Sequence, residues 1–362
     1  MKLSSTLAWL VDSAAETAGA DRLLAELGAH LVADGLPLAA GALTLDVPHP
    51  LIARRTWLWR ANSGEVVEAL GFASGAAVFA PQAPGDAGRR WLGDIASGVV
   101  HEDVIGPRQD GPSLGWIGPR PFTPEEVDEL RQAARFAAAP LAVLAARATL
   151  FATLEAYLGR RSAARVLAAP LRRDLGETIQ AALLYADLRS FTALSEDNPP
   201  EAVIAALDAW FDRIAGAVHA FGGEVLKFIG DGVLAIFPVV DGRPRRACQA
   251  ALRAAAAAQA GMAHLNEERQ KQGLPSLSFG AALHLGEMLW GNIGAANRLD
   301  FTAIGAAVNL ASRLEGLCRP LGKTVLVSGA LAAETDAQLI ALGTHALRGI
   351  ASPCEVFALP EG

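Results

Sequence analysis

The sequence predicts a two-domain protein of mixed α/β (α+β) class, and three observations support this prediction. The chain has 362 residues, which is enough for two domains of roughly 150 residues each. Helical and strand-like hydrophobic patterns alternate in both halves of the chain. Hydrophobic residues make up 52% and charged residues 19% of the composition, which excludes an intrinsically disordered protein.

Charge and hydropathy narrow the expected partners and location. The net charge of −7 argues against the basic surface that proteins use to bind nucleic acid. The longest apolar stretch near the middle, residues 136–146, is far shorter than the roughly 20 residues that a membrane span needs. The three cysteines, Cys248, Cys318 and Cys354, are too widely spaced for a disulfide framework or a zinc site. We therefore expect a cytoplasmic protein with no membrane or nucleic-acid partner.

The first 140 residues begin with a helix, which the spacing of leucines from Leu23 to Leu31 predicts. A second helix opens at Thr123, where Pro124 and Glu126 complete a capping box, and Pro140 is expected to interrupt it. The β-patterned runs between these helices are residues 42–47, 56–61 and 66–70. This order resembles GAF- or PAS-like α/β sensors. Residues 1–140 are therefore interpreted as a regulatory domain for an unknown small-molecule or protein signal.

Residues 141–178 are rich in alanine, leucine and arginine and predict a helical connector. Leu150, Leu154 and Leu158 recur every four residues, a spacing compatible with a two-stranded coiled coil between protomers. A solvated linker helix explains the same segment equally well.

Residues 179–362 predict a second domain in which strands and helices alternate. Gly230, Asp231 and Gly232 supply the turn of a tight hairpin within it. The predicted helices are residues 200–221, capped by Asn198, then 244–268 and 305–317. The predicted strands are residues 179–188, 224–229, 233–237, 278–285, 287–293, 324–328 and a last one near 356.

Two carboxylates stand where this fold can bring them together. Asp187 ends an apolar strand, and Asp231 lies at the tip of the hairpin. Each alone is explained by a cap, an ion pair or a turn, but together they can hold hard cations at one sheet edge. Lys227 lies inside the apolar strand before the hairpin, where a lysine is disfavoured unless a partner takes its charge.

Asn309 and Arg313 are four residues apart on a predicted helix and so share one face. An amide and a guanidinium presented together suit a polyphosphate, although an ordinary polar pair on a helix surface has the same pattern.

Four ordered motifs resemble the class III nucleotidyl cyclases. They are LYADLRSFTALSE at 184–196, GGEVLKFIGDG at 222–232, HLGE with GNIG between 284 and 294, and DFTAIGAAVNLASRLE at 300–315. The resemblance implies a ferredoxin-like, palm-type sandwich for residues 179–362. It covers about half of the chain.

The resemblance also implies roles for individual residues. Asp187 and Asp231, with the backbone carbonyl of Leu188, would hold two Mg²⁺ or Mn²⁺ ions per site. Asn309 would orient the ribose, and Arg313 would neutralise charge on the α-phosphate. The remaining substrate-binding positions would be Lys227 and Thr302 for the base, Arg348 for the triphosphate, and Phe191 and Thr192 in the first motif.

The implied activity is conversion of ATP to cyclic AMP at composite sites of a homodimer, under control of residues 1–140. In the family, guanine-specific members tend to carry Glu and Cys at the base-reading positions, where this chain has Lys227 and Thr302. A guanylate cyclase and a catalytically silent nucleotide-binding regulator on the same fold remain alternatives. Ser190 and Ala306 depart from common family residues, at positions that are not expected to contact metal or substrate.

Overall fold

The computed structural model describes residues 4–46, 52–72, 86–106, 111–168, 176–295 and 297–360. These residues belong to two compact units, Met1–Thr153 and Leu154–Gly362. The division between the units falls within the predicted connector, residues 141–178.

The N-terminal unit is a five-stranded antiparallel sheet with helices packed on it; three of its strands correspond to the predicted runs, and the strands His101–Val104 and Ser113–Ile117 were not predicted. The strands lie in the order β3-β2-β1-β5-β4, where β1 is Ala40–Asp46, β2 Ile52–Arg60, β3 Val66–Phe72, β4 His101–Val104 and β5 Ser113–Ile117. The helices are α1 Ser5–Asp12, α2 Ala20–Ala33, α3 Asp86–Ile95 and the start of α4 Pro124–Leu158. Residue 47, the predicted end of the first strand, lies outside the described residues. Leucines of α2 pack with Trp59 and Trp116 in the core.

Helix α4 starts with the predicted capping box. The Thr123 hydroxyl accepts from the Glu126 N–H at 3.3 Å, and the Glu126 carboxylate accepts from the Thr123 N–H at 2.8 Å. The predicted interruption at Pro140 is wrong, because α4 continues through it to Leu158. Pro140 and the adjacent Leu141 are buried, and this packing offsets the hydrogen bond that proline cannot donate.

Helix α4 is long and apolar enough to cross a membrane by length and composition. Only 22% of the apolar window is buried. One face of its first half, which carries Leu130, Ala133, Ala134, Ala137, Leu141 and Leu144, packs in the core of the N-terminal unit. Leu150, from the predicted coiled-coil series, is exposed, and the coiled coil stays a prediction.

The C-terminal unit is an eight-stranded sheet with helices on both faces. The strand order is β12-β13-β11-β9-β6-β8-β7, with β10 paired to β9. The strands are β6 Gly176–Leu188, β7 Glu224–Ile229, β8 Gly232–Pro238, β9 Phe279–Ala295, β10 Arg298–Ile304, β11 Val325–Ser328, β12 Ile340–His345 and β13 Cys354–Ala358. The helices are α5 Arg160–Ala168, α6 Phe191–Asp197, α7 Pro200–Ala220, α8 Pro244–Lys271, α9 Ala306–Glu315 and α10 Gly329–Ala332.

Alternation along β6 explains the two helical layers, because successive side chains of a strand point to opposite faces. Ala182 and Leu184 pack with residues of α7 and α8, including Trp210. Leu183 packs on the other face with Ala311 of α9.

Two details of this unit correct the sequence-based prediction. The strands predicted at 278–285 and 287–293 are one 17-residue strand, β9. Gly286 does not break it; a Cβ there would lie 2.6 Å from the Ala307 Cβ, so this glycine lets α9 lie close to the sheet. Asn198 does not cap α7: its amide donates to the Leu194 carbonyl at 2.9 Å, at the end of α6.

Candidate active site

The fold brings Asp187 and Asp231 into contact. Strand β6 ends just after Asp187, and Asp231 lies in the turn between β7 and β8. Because β6 and β8 pair antiparallel, with Ala186 opposite Val233, the end of β6 lies beside this turn. Burial, a hydrogen bond to the Asp231 carboxyl and repulsion from it raise the pKa of Asp187 from 3.8 to about 8. The two carboxyl groups therefore favour a shared proton when no cation lies between them.

This donor set fits Mg²⁺ or Mn²⁺. Carboxylate oxygens are hard ligands, and two of them at hydrogen-bond distance repel each other unless a proton or a cation intervenes. The described residues contain no metal-binding cluster of three or more His, Cys, Asp or Glu side chains, so the carboxyl pair would act without a third such ligand from the protein. The protein would supply few ligands, as is usual where substrate phosphates complete a Mg²⁺ shell.

Trp210 fixes the turn that carries Asp231. Its indole N–H donates to the Asp231 backbone carbonyl at 2.9 Å, and the side chain is fully buried on α7. The ring also packs against Phe279 at the start of β9, with 5.1 Å between centroids. The buried tryptophan thus joins the hairpin tip to the core.

Replacing Trp210 by Phe is expected to lower kcat about tenfold, because the turn loses its hydrogen bond while most of the apolar packing remains. Cyclase kinetics and a thermal unfolding curve measure the two effects. Trp59→Phe, the same change at a buried tryptophan of the N-terminal unit, is the control and should retain kcat. Equal kcat for wild type and Trp210→Phe would contradict this role.

Lys227 lies on β7 and Thr302 on β10, both in the C-terminal unit. The Lys227 ammonium forms an ion pair with Asp300. Asp300 and Thr302 are two residues apart on β10, so they lie on the same face of that strand. Neither a role for Asp300 nor strand β10 was predicted from the sequence. The carboxylate gives Lys227 the charge partner that a lysine in an apolar strand requires.

Asn309 and Arg313 are both exposed on α9, as their spacing predicts. Within the described part of the chain, neither side chain has a hydrogen bond or an ion pair. No described contact joins either side chain to Asp187 or Asp231 of the same chain. Ser312 of the same helix instead hydrogen-bonds the Tyr185 hydroxyl, and the Glu315 carboxylate raises the pKa of Asp187 further.

Of the other predicted substrate positions, Thr192 and Arg348 are exposed, and Phe191 is half-buried against the core. Phe191 and Thr192 begin α6, directly after the end of β6, and Thr192 is exposed. Arg348 is exposed in a turn after β12. No described contact joins these three residues to the carboxyl pair, and their roles remain predictions.

Glu315 is the last residue of the motif at 300–315, and no role was predicted for it from the sequence. A Cβ on Gly280 would lie 2.3 Å from a Glu315 oxygen, and Gly280 is the cross-strand partner of Asp187. Burial raises the pKa of Glu315, and the Arg189 guanidinium opposes that shift. The motif contained this residue, but its placement depends on contacts between α9 and β9.

Comparison with known proteins identifies the segment that carries this site. Residues 176–349 match the family model described as the adenylate and guanylate cyclase catalytic domain. "Adenylate cyclase 1" of Rhizobium meliloti is 35% identical over 179 residues, which are 48% of this chain and 26% of that protein. "Adenylate cyclase" of Anabaena cylindrica is 35% identical over 155 residues, 42% of this chain and 30% of that protein. The chain therefore spans under a third of the length of these relatives.

A solved structure described as a bacterial light-regulated adenylyl cyclase supports the fold. It aligns with a TM-score of 0.53 at 22% identity, over 72% of this chain and 85% of that chain.

Proposed function

Because residues 176–349 match the family model of the adenylate and guanylate cyclase catalytic domain, we propose that this chain is a class III adenylate cyclase that converts ATP to 3′,5′-cyclic AMP and pyrophosphate. The observation that carries the proposal is the contact between Asp187 and Asp231. Two carboxyl groups held against each other destabilise a protein that never binds a cation between them. A regulator that binds nucleotide without a metal ion has no use for this arrangement.

In the proposed reaction the ribose 3′-hydroxyl loses its proton to water and its oxygen attacks the α-phosphorus in line. The bond between that phosphorus and the oxygen that bridges to the β-phosphate breaks, and pyrophosphate leaves. Asp187, Asp231 and the Leu188 carbonyl would hold two Mg²⁺ or Mn²⁺ ions. When bound, these ions acidify the 3′-hydroxyl and offset triphosphate charge. Arg313 stabilises charge that develops on the α-phosphate, and Asn309 holds the ribose. Arg348 binds the triphosphate, and Phe191 and Thr192 line the site beside the end of β6.

We propose a homodimer as the active form. Asn309 and Arg313 are exposed on α9, while Ser312 and Glu315 of that helix contact the region of the carboxyl pair. Arg313 and Glu315 are two residues apart, which is about 200° around α9, so the face that carries Arg313 points away from the carboxyl pair of its own chain. A second copy related by a two-fold axis would supply Asn309 and Arg313 to each carboxyl pair.

Adenine selectivity is proposed to come from Lys227 and Thr302. The ion pair with Asp300 holds the Lys227 ammonium in place, and Thr302 is half-buried two residues further along β10. A fixed ammonium donates to a ring nitrogen that accepts a hydrogen bond, as adenine N1 does and guanine N1–H does not.

Replacing Lys227 by Glu together with Thr302 by Cys is expected to reduce the preference for ATP over GTP at least tenfold, because the donor to the base becomes an acceptor. The ratio of kcat/KM for the two nucleotides measures this change. Lys271→Glu makes the same charge change at an exposed site on α8 and should leave the ratio intact. An unchanged ratio in the double variant would refute the assignment.

The deciding experiment incubates the purified full-length chain with ATP and Mn²⁺ and measures cyclic AMP and pyrophosphate by chromatography. Equimolar formation of both is the expected result. ATP binding without turnover would instead support the regulator, and a higher kcat/KM for GTP would indicate a guanylate cyclase.

Control by the N-terminal unit is also part of the proposal. Cyclic AMP formation by the full chain beside a chain beginning at Leu154 gives the sign of that control, once circular dichroism confirms that the shorter chain is folded. Equal turnover numbers would argue against any basal control.

A further inference from the structure

Glu224 is a buried carboxylate that the proposed reaction does not use. The residue is 5% exposed, and a buried carboxylate is costly unless donors satisfy it. Its donors come from α5: the Ser162 N–H and hydroxyl contact Glu224 Oε1 at 3.1 and 3.2 Å. Glu224 Oε2 lies 3.9 Å from Arg161 Nε. Strand β7 and helix α5 are therefore joined at this side chain.

The start of α5 is shaped to receive this carboxylate. Gly159 precedes the helix with φ +81°, and a Cβ on it would lie 2.8 Å from Glu224 Oε1. Ser162 belongs to the first turn, where backbone N–H groups lack partners within the helix. A negative charge at this end also interacts favourably with the helix dipole.

Glu224 lies three residues before Lys227 on the same strand. A bulge between Val225 and Lys227 shifts the register of β7 against β8, and such bulges redirect the side chains that follow. Among the described strands, β7 lies at the end of its sheet, where it pairs with β8, and its Phe228 packs on Phe211 of α7. The contact with α5 is a further restraint, at the start of the strand that carries Lys227.

Helix α5 is itself fixed to the rest of the unit. Arg165 forms an ion pair with Glu177 at the start of β6, and its guanidinium lies 4.9 Å from the ring centroid of Trp290 on β9. Ser162 and Ala163 are buried. The helix can therefore act as a firm support for Glu224.

We infer that Glu224 is a positioning residue for nucleotide recognition: by holding the start of β7 on α5, it keeps Lys227 beside Asp300. The inference rests on the proposed function for what Lys227 contacts. Glu224 touches no substrate, so its loss displaces Lys227 and weakens nucleotide binding more than it slows the chemical step.

The test compares full-length variants by steady-state kinetics with ATP. Glu224→Ala is expected to raise KM about tenfold with kcat within twofold of wild type, because it leaves the N–H of Ser162 unpaired. Glu224→Gln keeps an acceptor oxygen and should restore KM to within about threefold of wild type. Ser162→Ala should raise KM by about threefold, and should add nothing in the Glu224→Ala background.

Glu268→Gln is the matched control, since it removes a partly exposed carboxylate on α8 whose ion pairs, with Arg213 and His264, involve neither α5 nor β7. It should leave KM unchanged. An equal rise of KM in this variant, or a loss of thermal stability in Glu224→Ala with KM unchanged, would overturn the inference. If Glu224→Ala does not fold, Ser162→Ala alone decides by the same measurement.

Binding of 3′-deoxy-ATP, which lacks the attacking hydroxyl, separates this inference from the proposed function. If the wild type forms no cyclic AMP, the proposed function fails, and weaker binding of this probe by Glu224→Ala than by wild type still supports the inference. Equal binding, or no binding by either protein, overturns it. If the wild type is active and the variants have its KM, only the inference falls.

Discussion

Replacing Asp187 by Asn is expected to lower kcat by about a thousandfold or more while raising thermal stability in the absence of metal. The loss of activity follows because an amide is a poor ligand for a hard cation and leaves charge on the triphosphate unbalanced. The gain in stability follows because the native pKa of Asp187, about 8, lies above its ordinary value of 3.8. The folded protein therefore prefers the neutral side chain, which Asn imitates.

Because the pKa of Asp187 is raised in the folded protein, the gain in stability from Asp187→Asn depends on pH. Ionisation of Asp187 costs stability progressively as pH rises from about 4 to about 8. With EDTA present, the melting temperature of Asp187→Asn should exceed that of wild type by a margin that grows over this range. Asp212→Asn, an exposed change on α7, is the control for both measurements. Activity above a tenth of wild type in Asp187→Asn would contradict the proposed metal role.

The second large effect is complementation between inactive chains. Asp187→Ala and Arg313→Ala are each expected to abolish turnover, because each removes one side of a composite site. In a heterodimer, the intact carboxyl pair of one chain meets the intact Asn309 and Arg313 of the other. One of two sites is then complete, and about half of the wild-type turnover should return. Co-expression with two different affinity tags isolates this heterodimer for assay.

The control combines Asp187→Ala with Asp231→Ala, which damage the same side of each site. Both sites of that heterodimer lack one carboxylate, so no activity should return. Failure of the Asp187→Ala and Arg313→Ala pair to regain activity, with heterodimers demonstrated by mass, would argue against shared sites.

The carboxyl pair could be predicted from the sequence because its two elements are local. A strand that ends in Asp187 and a hairpin with Asp231 at its tip need only antiparallel pairing to meet. Asn309 and Arg313 were similarly predictable from helical spacing alone. What these residues bind depends on the family resemblance and on the experiments above.

Contacts between distant elements could not be predicted in this way. The sequence shows Gly286 as a break in a strand, whereas the close approach of Ala307 explains it. The partner of Lys227 was not predicted because strand β10 forms only by pairing with β9. Glu224 lies inside a motif, but its donor on Ser162 is 62 residues away. Pro140 continues a helix because buried neighbours outweigh its local preference.

The missing side chain at Gly286 has a consequence for how widely sequence changes can be tolerated. Ala307 rests on this glycine, and Arg313 lies about 9 Å further along the same helix at 1.5 Å per residue. A rigid helix transfers any displacement at its support to the guanidinium at its far end. Misplacement by about 1 Å can cost a hundredfold in rate. If Arg313 has the proposed catalytic role, packing at this half-buried glycine constrains the reaction as tightly as the identity of the charged residue does, and a substitution there can abolish activity while every active-site residue is intact.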